Sequence, residues 1–449
     1  MESILARYAA RAVPRYTSYP TAPHFRAGLP EASYRTWLAA LDPGTSVSAY
    51  LHVPFCKQMC WYCGCNMKLA ARYAPVASYV EMLLAEIDLA ADALPGRMTL
   101  GHLHWGGGTP TALEPGDLAR AMERLRARFD IAPGAELAIE SDPRTLTPEM
   151  AATIGRLGFT RASFGVQEFD PTVQAAINRL QPPEMVARTV ADLRAAGVAG
   201  INFDLIYGLP HQSVETLLAT IGICREMAPD RIALFGYAHV PWMAKNQRMI
   251  PEAALPDGPA RAAQAAAAAS ALTAAGYEAI GLDHFALPGD AMARAAREGR
   301  LRRNFQGYTT DQAETMIGFG ATSIGRTPGG YVQNIAETGA WARAVASGRL
   351  PVARGLALGA EDRLRGRVIE AIMCAGAVDT AALGREFGRE PGWCRDELES
   401  LAEFEADGLL LRDGPRITLT PEGRRLCRVV ASVFDAWLAA SEARHSVAV

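Results

Sequence analysis

Four of the eight cysteines in this 449-residue chain fall within ten residues. Cys56, Cys60 and Cys63 are spaced C-x3-C-x2-C, and one residue separates Cys65 from Cys63. Thiols this close in sequence cannot form relaxed disulfides with one another, whereas thiolates are the preferred ligands of soft metal centres. A zinc site would need a fourth ligand, usually from a distant Cys or His pair, and the sequence has no such pair. The spacing favours an iron–sulfur cluster, with a zinc knuckle or a redox dithiol as the alternatives.

The cysteine loop follows an apolar segment, residues 48–55, that predicts a buried strand. From about residue 45 onwards, short apolar strands alternate with amphipathic helices. This alternation predicts an α/β fold, a partial (β/α)6 barrel of parallel strands with helices outside. Strands are predicted at 47–53, 100–105, 137–139, 161–166, 201–206 and 231–237, and helices at 76–94, 115–129, 147–157, 183–196 and 213–226.

The regions that flank the barrel pattern differ from it. Residues 1–40 form an N-terminal arm, in which 12–22 is rich in proline and tyrosine and follows neither a helical nor a strand period. This stretch is interpreted as a surface arm, and the alternative is that Arg15, Tyr16 and Tyr19 face a substrate. Residues 41–355 are assigned to the barrel. Within them, 278–283 is a candidate further strand and the glycine-rich stretch 301–335 is predicted to be loops.

Residues 356–449 are assigned to a separate, mainly α-helical domain. Helices are predicted at 361–376, 379–388 and 391–408, followed by a two-stranded turn at 408–420 and a helix at 421–440. Helices followed by such a turn resemble a winged helix. A winged helix attached to an enzyme-like body favours a role in packing or as a lid over a role in DNA binding.

Polar residues and glycines follow the predicted strands at the ends where a βα barrel carries its active site. A glycine triplet in the segment 106–110 lets the backbone approach a ligand closely, although such a segment can also be a simple turn. One polar residue at a strand end often only caps a helix, but recurrence at successive ends indicates a binding site. Arg179 is either a helix-terminal cation or the partner of a carboxylate. The polar positions are Glu140 to Asp142 after the third strand, Gln167 and Glu168 after the fourth, Asp204 in the fifth and His239 after the sixth.

The overall composition is that of a globular protein, with 49% hydrophobic and 21% charged residues. A net charge of −3 provides no general attraction to nucleic acid or to an anionic membrane, so neither is expected as a partner. The sequence shows no signal peptide and no long apolar run, which predicts a cytoplasmic protein. A reducing compartment also suits unpaired cysteines.

Three cysteine ligands would leave one iron of a four-iron cluster open. This arrangement, with the aromatic Tyr62 before the third cysteine, resembles the radical S-adenosylmethionine (SAM) superfamily. Over most of its length the chain is similar to the oxygen-independent coproporphyrinogen III dehydrogenase family of haem biosynthesis. The motifs that carry this resemblance are PRYTSYPTA (14–22), YLHVPFC and the cysteine loop (50–65), LHWGGGTPT (103–111), IESDPR (139–144), GVQEFD (165–170), INR (177–179), NFDLIYGLP (202–210), YAHVP (237–241), DHFA (283–286), RNFQGYTT (303–310) and LTPEGR (419–424).

The resemblance implies a [4Fe-4S] cluster on Cys56, Cys60 and Cys63, with Cys65 not a ligand, and two bound SAM molecules. The SAM on the cluster is expected to contact Tyr50, Gly107, Glu140 and Ile324. The second SAM is expected to contact Tyr62, Gly108, Thr109, Gln167, Arg179, Asp204 and Ala238.

The implied reaction converts coproporphyrinogen III to protoporphyrinogen IX by two oxidative decarboxylations, each begun by a 5′-deoxyadenosyl radical that takes a β-hydrogen from a propionate. The resemblance also implies an electron donor such as flavodoxin or ferredoxin, and a monomer. The alternatives are a haem-binding chaperone of the same superfamily, a radical SAM methyltransferase and a winged-helix regulator with an iron–sulfur sensor. The PRYTSYPTA motif and Cys65 argue against the chaperone.

Overall fold

A computed structural model of the protein describes residues 7–8 and 11–438. The strands are β1 (Arg26–Ala27), β2 (Ser46–Val53), β3 (Phe55–Cys56), β4 (Lys68–Leu69), β5 (Thr99–Gly107), β6 (Asp130–Ser141), β7 (Arg161–Gln167), β8 (Gly200–Tyr207), β9 (Arg231–Gly236), β10 (Glu278–Ile280), β11 (His284–Ala286), β12 (Arg302–Asn304), β13 (Gly307–Thr309), β14 (Met316–Phe319), β15 (Ile324–Thr327), β16 (Gly330–Asn334), β17 (Val352–Ala357), β18 (Ala377–Asp379), β19 (Leu410–Asp413) and β20 (Arg416–Leu419). The α-helices are α1 (Glu31–Ala39), α2 (Ala74–Asp92), α3 (Pro115–Arg128), α4 (Pro148–Arg156), α5 (Pro171–Ala176), α6 (Pro183–Ala195), α7 (Val214–Glu226), α8 (Gly258–Ala274), α9 (Ala291–Arg297), α10 (Thr338–Ala346), α11 (Ala360–Ala375), α12 (Thr380–Glu386), α13 (Arg395–Ser400), α14 (Ala402–Ala406), α15 (Pro421–Arg425) and α16 (Cys427–Ala431).

The chain folds into two compact units. The larger unit consists of Arg26–Ala275 and Ala313–Ala357. The smaller unit consists of the described parts of Met1–Phe25, Gly276–Gln312 and Leu358–Val449. These units have other boundaries than the predicted domains 1–40, 41–355 and 356–449, which stay a prediction.

The larger unit is built on a mixed sheet with the order β1-β17-β16-β15-β14-β2-β5-β6-β7-β8-β9. The strands from β14 to β9 run parallel to their neighbours, whereas β15, β16, β17 and β1 are antiparallel. The six predicted barrel strands are confirmed as β2 and β5 to β9. The five predicted helices are confirmed as α2, α3, α4, α6 and α7. The partial (β/α)6 barrel is therefore present.

Local sequence signals explain where several helices begin. The Thr147 hydroxyl accepts a hydrogen bond from the backbone N–H of Met150 and starts α4. Asp170 caps α5 in the same way, and Ser213 forms a capping box with Thr216 at the start of α7. Each cap lies three to six residues after the carboxyl end of a barrel strand, so the next helix begins close to that end of the sheet.

Residues 301–335 were predicted to be loops, and this prediction is wrong. The stretch forms β12 to β16, with β14 parallel to β2 and β15 antiparallel to β14. Its glycines permit close packing: a Cβ at Gly318 would lie 2.9 Å from the backbone of Ile324, and one at Gly325 would lie 3.1 Å from the carbonyl oxygen of Met316. Glycine in a strand can mark such a close approach as well as a loop.

The smaller unit has a core to which the N-terminal segment contributes. Val13, Tyr16 and Tyr19 are buried among side chains of α11, α14 and α16. The Tyr16 hydroxyl donates to Asp435 Oδ2 at 3.0 Å. The prediction of a surface arm is therefore wrong for these residues, and Tyr16 and Tyr19 are core residues of this unit. Arg15 remains exposed.

The candidate strand at 278–283 forms β10, which pairs antiparallel with β11 in the smaller unit. The C-terminal part of the smaller unit has a three-stranded antiparallel sheet of order β18-β20-β19 packed with helices. The predicted helix at 391–408 is two shorter helices, α13 and α14. The predicted helix at 421–440 is α15, α16 and a 3-10 turn, and its last two residues lie outside the described residues. Within the described chain, no helix is long and apolar enough to span a bilayer.

Candidate active site at the carboxyl ends of the parallel strands

The cysteine loop begins where β2 ends. A short parallel pairing of β3 with β4 places Cys56 opposite Leu69 and closes the base of the loop. The backbone N–H of Lys68 donates to the Pro54 carbonyl at 2.6 Å, and that of Ala70 donates to the Cys56 carbonyl at 3.0 Å. Residues 57–67 therefore form a loop whose two ends lie side by side. The loop follows the end of a strand, as predicted.

The three predicted ligand thiols differ in their surroundings. Two guanidinium groups, those of Arg144 and Arg179, each donate to Cys60 Sγ at 3.3 Å. Hydrogen bonds from Cys65 lower the pKa of Cys63 to about 7, whereas burial raises the pKa of Cys56 to about 11. Cations and N–H donors stabilise thiolates, which are the form that binds metals. The donor set, three thiols with two cations beside one of them, fits an iron–sulfur cluster.

A cluster of four irons spreads its ligands more widely than a single ion does. The described residues contain no group of three or more His, Cys, Asp or Glu side chains placed to hold a single metal ion. The assignment of Cys56, Cys60 and Cys63 as ligands therefore stays a prediction. It is supported by their loop and by the cations near Cys60.

Residues that the sequence analysis did not identify hold this loop in place. Asn246 Nδ2 lies 3.1 Å from the Cys60 carbonyl oxygen, 3.1 Å from that of Trp61 and 2.8 Å from that of Cys63. Gln247, which is buried, donates from Nε2 to the Tyr62 carbonyl at 2.8 Å. Nothing in the sequence around 246–247 signals this role, because the contacts join positions more than 180 residues apart.

Gln247 also connects the loop to the segment after β9. Its Nε2 donates to the Ala238 carbonyl at 3.2 Å, and its Oε1 accepts from the backbone N–H of Val240 at 2.5 Å. On the other side of the loop, Asn178 Nδ2 donates to the Met59 carbonyl at 2.7 Å. The predicted contact residues Tyr62 and Ala238 are therefore joined through one side chain.

The glycine triplet lies against the end of β2 and the cysteine loop. Gly107 has a φ of +116°, and a Cβ there would lie 2.8 Å from the His52 ring. A Cβ at Gly108 would lie 2.8 Å from the Phe55 carbonyl oxygen. The triplet is therefore required for close packing within the protein. Next to it, Thr109 Oγ1 lies 3.5 Å from Cys56 Sγ.

Tyr50, Gly107 and Glu140 come together on three neighbouring strands. Glu140 accepts hydrogen bonds from the backbone N–H of Gly107 at 3.2 Å and lies 3.1 Å from His104 Nε2. The Tyr50 ring stacks on the His104 ring, with 5.9 Å between centroids. Ile324 lies at the start of β15, and its backbone packs on Gly318, the residue opposite Tyr50 in β14. The four residues predicted for the first SAM therefore occupy one region.

Arg179 turns towards the barrel interior, as one of the two sequence-based interpretations required. Its Nε and Nη2 donate to the Gly165 carbonyl at 3.0 and 2.5 Å, and Nη2 lies 3.5 Å from Asp142 Oδ1. Burial favours the neutral form of Asp142, but Arg179 and Arg144 outweigh it and hold the pKa of Asp142 below its usual value. A buried ion pair of this kind therefore holds Arg179 beside Cys60.

Two predicted contact residues on adjacent strands carry polar groups without protein partners. Gln167 has a φ of 66°, and its Oε1 is buried with no hydrogen-bond partner among the described residues. The Asp204 carboxylate, opposite Gly165 in the sheet, also has none within the described part of the chain. Burial, together with the nearby Glu140, raises the pKa of Asp204 to about 7. Buried polar groups are normally paired, so the Gln167 oxygen fits a polar ligand. Asp204 on the adjacent strand is only partly buried by surface area and offers a second acceptor.

Glu86 in α2 supports the region around Tyr50 and Ile324, and the sequence analysis did not identify it. Its carboxylate accepts from the Gly320 backbone N–H at 2.6 Å, from Asn334 Nδ2 at 2.6 Å and from Trp341 Nε1 at 3.1 Å. Burial raises the pKa of Glu86 to about 8 despite these donors. Two helix turns earlier, the Tyr79 hydroxyl donates to the His52 carbonyl at 2.7 Å.

Comparison with known proteins yields two matching families. Residues 50–223 match the Radical SAM superfamily, and residues 358–426 match the HemN C-terminal domain. The first of these covers the cysteine loop and the strands that carry most of the predicted contact residues.

Full-length relatives are also similar. The chain is 50% identical over 442 residues to an oxygen-independent coproporphyrinogen III oxidase from Bradyrhizobium diazoefficiens, and the alignment covers 98% of each chain. It is 44% identical to a protein of the same name from Paracoccus denitrificans, over 97% of this chain and 96% of that protein. Among solved structures, coproporphyrinogen III oxidase (HemN) from Escherichia coli, described as a radical SAM enzyme, is similar with a TM-score of 0.91. That match has 35% identity and covers 95% of this chain and 100% of the other.

Proposed function

Because the chain belongs to the family of oxygen-independent coproporphyrinogen III oxidases, which are radical SAM enzymes, we propose that it converts coproporphyrinogen III to protoporphyrinogen IX without oxygen, a step of haem biosynthesis. The observation that carries this proposal is the 50% identity to one such oxidase over 98% of both chains. The described site agrees with it, because a cysteine loop and a set of polar residues meet at the carboxyl ends of the parallel strands.

The family uses a [4Fe-4S] cluster and SAM. Bound together here, they would supply a 5′-deoxyadenosyl radical, which would start each decarboxylation by taking a hydrogen atom from the β-carbon of a propionate. Cys56, Cys60 and Cys63 would hold the cluster. The guanidinium groups of Arg144 and Arg179 donate to Cys60 Sγ and hold this side chain in place for ligation.

The first SAM would be bound by Tyr50, Gly107, Glu140 and Ile324. The Glu140 carboxylate suits the ammonium group of an amino acid, and its hydrogen bonds from Gly107 and His104 hold it in one orientation. Glu86 and Tyr79 are not among the residues proposed to contact this SAM. They form hydrogen bonds with chain segments next to the contact residues and hold those segments in place. They are positioning residues.

A second SAM would be bound by the other predicted residues. The unpaired Gln167 Oε1 and the Asp204 carboxylate support this, because each could accept hydrogen bonds from ligand hydroxyl or amino groups. The remaining contacts proposed for it are Tyr62, Gly108, Thr109, Arg179 and Ala238. With a pKa of about 7, Asp204 would be a better acceptor above neutral pH than below it.

We also propose that the protein is a cytoplasmic monomer and that it receives electrons from a carrier such as flavodoxin or ferredoxin. A reducing compartment suits the cluster thiols and the remaining cysteines, all of which are free.

The test is an anaerobic incubation of reconstituted protein with SAM, a reductant and coproporphyrinogen III, followed by chromatography and mass spectrometry. We expect the loss of two CO2 per substrate, abolished in Cys60→Ala and retained in Cys374→Ala, which removes a thiol of the smaller unit. Unchanged substrate, next to an intact cluster and SAM cleavage, would contradict the proposal. Tight haem binding in that case would support the chaperone alternative.

A separate measurement tests the number of SAM molecules. Equilibrium dialysis of the reconstituted wild type should give two SAM molecules per chain, and the double variant Gln167→Ala/Asp204→Asn should give one. Two SAM molecules bound by this variant, or one bound by the wild type, would contradict the assignment.

A further inference from the structure

Exposed apolar side chains concentrate around the cysteine loop. Among the described residues, seven large hydrophobic side chains are exposed, and five of them lie in the loop or in segments that contact it. Met243 is the most exposed of the seven, at 76%. Scattered exposed apolar residues are normal, but a contiguous group of them marks an interaction site. The five residues are Leu69, Leu180, Trp242, Met243 and Met249.

Each of these residues lies in, or next to, a segment that contacts the cysteine loop, and Leu180 lies outside 57–72 and 240–251. Leu69 pairs with Cys56 in the short sheet at the loop base. Leu180 follows Asn178 and Arg179, which bond to the Met59 carbonyl and to Cys60 Sγ. Trp242, Met243 and Met249 flank the two side chains that bond to the loop carbonyls.

Two segments around the cysteine loop, residues 57–72 and 240–251, are strongly basic. Residues 57–72 and 240–251 contain five cations, Lys57, Lys68, Arg72, Lys245 and Arg248, and no Asp or Glu, although the whole chain has a net charge of −3. They also contain all three lysines of a chain whose 45 cations are otherwise arginines. Lys68 pairs with Glu337 at 3.3 Å. Glu252 directly follows the second segment and lies 3.4 Å from His239. With Glu252 and Glu337 counted, cations still outnumber carboxylates five to two, so the surface around the loop is positive as well as apolar.

We propose that this surface, formed by 57–72 and 240–251, is the docking site of the electron donor, a small acidic protein that carries a one-electron flavin or iron–sulfur group. The proposal rests on the proposed function, because only a reaction started by one-electron reduction needs such a donor. Electron transfer slows steeply with distance, so the donor must dock near the cysteine loop. This is where the basic and apolar residues lie.

The chemistry of the surface suits a short-lived complex. Redox partners meet through small interfaces, and opposite charges accelerate their association. Lysine is a compact, hydrated charge, whereas arginine forms firmer two-point contacts with carboxylates. Tryptophan and methionine are enriched in protein interfaces. An open cleft of about 540 Å³, lined in part by Trp242, Arg248 and Glu252, provides a concave region on the same segment.

The test compares two reductants of the reconstituted cluster by stopped-flow absorbance, without porphyrinogen. One is a reduced flavodoxin, an acidic protein, and the other is photoreduced 5-deazariboflavin, which is small and uncharged. The variant is Lys57→Glu/Lys245→Glu. The control is Arg188→Glu, a reversal at an exposed position of α6. We expect reduction by flavodoxin to slow at least about tenfold at low salt in the double variant, with the deazaflavin rate and the control changing less than about twofold.

The wild-type rate with flavodoxin should also fall as salt is added, and this dependence should be weaker in the double variant. An unchanged flavodoxin rate in the double variant would overturn the proposal. So would equal losses with both reductants, because the lysines would then act on the cluster itself. A raised KM for coproporphyrinogen with an unchanged flavodoxin rate would assign the surface to the substrate instead. Because cluster reduction is measured without substrate, a failure of decarboxylation would leave this test intact.

Discussion

Replacing Asn246 by alanine removes one of the two side chains, Asn246 and Gln247, that join the segment after β9 to the cysteine loop. The Asn246 amide nitrogen lies within 3.1 Å of three loop carbonyls and has two N–H groups, so it makes two good hydrogen bonds at a time. Each such bond contributes about 1 kcal/mol net. The free energy of local loop opening should therefore fall by about 2 kcal/mol, which corresponds to an opening equilibrium on the order of thirtyfold larger.

Thiol modification of the cluster-free protein measures this opening. Cys60 is 6% exposed, so a thiol reagent reaches it mainly when the loop opens. We expect modification of Cys60, followed by mass spectrometry, to be on the order of thirtyfold faster in Asn246→Ala. Asn66→Ala, which truncates an exposed amide in the same loop, should react like the wild type. Rates within threefold of the wild type in Asn246→Ala would show that Asn246 does not hold the loop.

Three further predictions concern the surroundings of the loop. In urea unfolding, Gly108→Ala should lose several kcal/mol, on the order of an overpacked core site, because its Cβ would meet the backbone of Phe55, whereas Gly116→Ala, with open space in α3, should keep the wild-type stability or gain up to about 1 kcal/mol. The free energy of unfolding of the wild type should depend on pH through Glu86, and Glu86→Gln should lack this dependence. With a pKa of about 8, Glu86 in the native state keeps a proton that the unfolded chain has lost above its ordinary pKa, so wild-type stability should fall between about pH 5 and 8 with a slope of at most about 1.4 kcal/mol per unit. Arg179→Met should cost about 3–5 kcal/mol of stability, because it removes one cation from a buried carboxylate, and Arg179→Lys should recover part of that loss. Matching pH profiles for wild type and Glu86→Gln, or full stability in Gly108→Ala or Arg179→Met, would contradict these arguments.

Local sequence patterns were sufficient for the parallel core. Strands β2 and β5 to β9 are apolar, bounded by turn residues and followed by amphipathic helices, so their periodicity appears within windows of about ten residues. The polar positions Glu140, Gln167 and Asp204 follow from the same pattern, since the strand ends of a parallel sheet meet at one edge. The full set of predicted SAM contacts came from the resemblance to the family. The loop prediction was wrong at Gly318 and Gly325, because glycine is typical of loops and also permits close strand packing.

The parts that the sequence did not reveal depend on pairs far apart in the chain. Asn246 meets the cysteine loop across more than 180 positions, and Glu86 meets Gly320 and Trp341 across 234 and 255. Tyr16 reaches Asp435 across 419. Nothing near these residues in sequence distinguishes a buried partner from an exposed polar side chain.

The sequence alone therefore determined the cysteine spacing, the α/β barrel and the family motifs, because ligand spacing and strand and helix periodicity are local properties. The tertiary structure decided which side chains hold the cysteine loop, that Arg179 turns inward to Cys60 and Asp142, and that the Gln167 side-chain oxygen is buried without a hydrogen-bond partner among the described residues. It also gathered the lysines and exposed apolar side chains around one loop. Burial, pairing and the pKa values that follow from them arise only when distant segments share one environment.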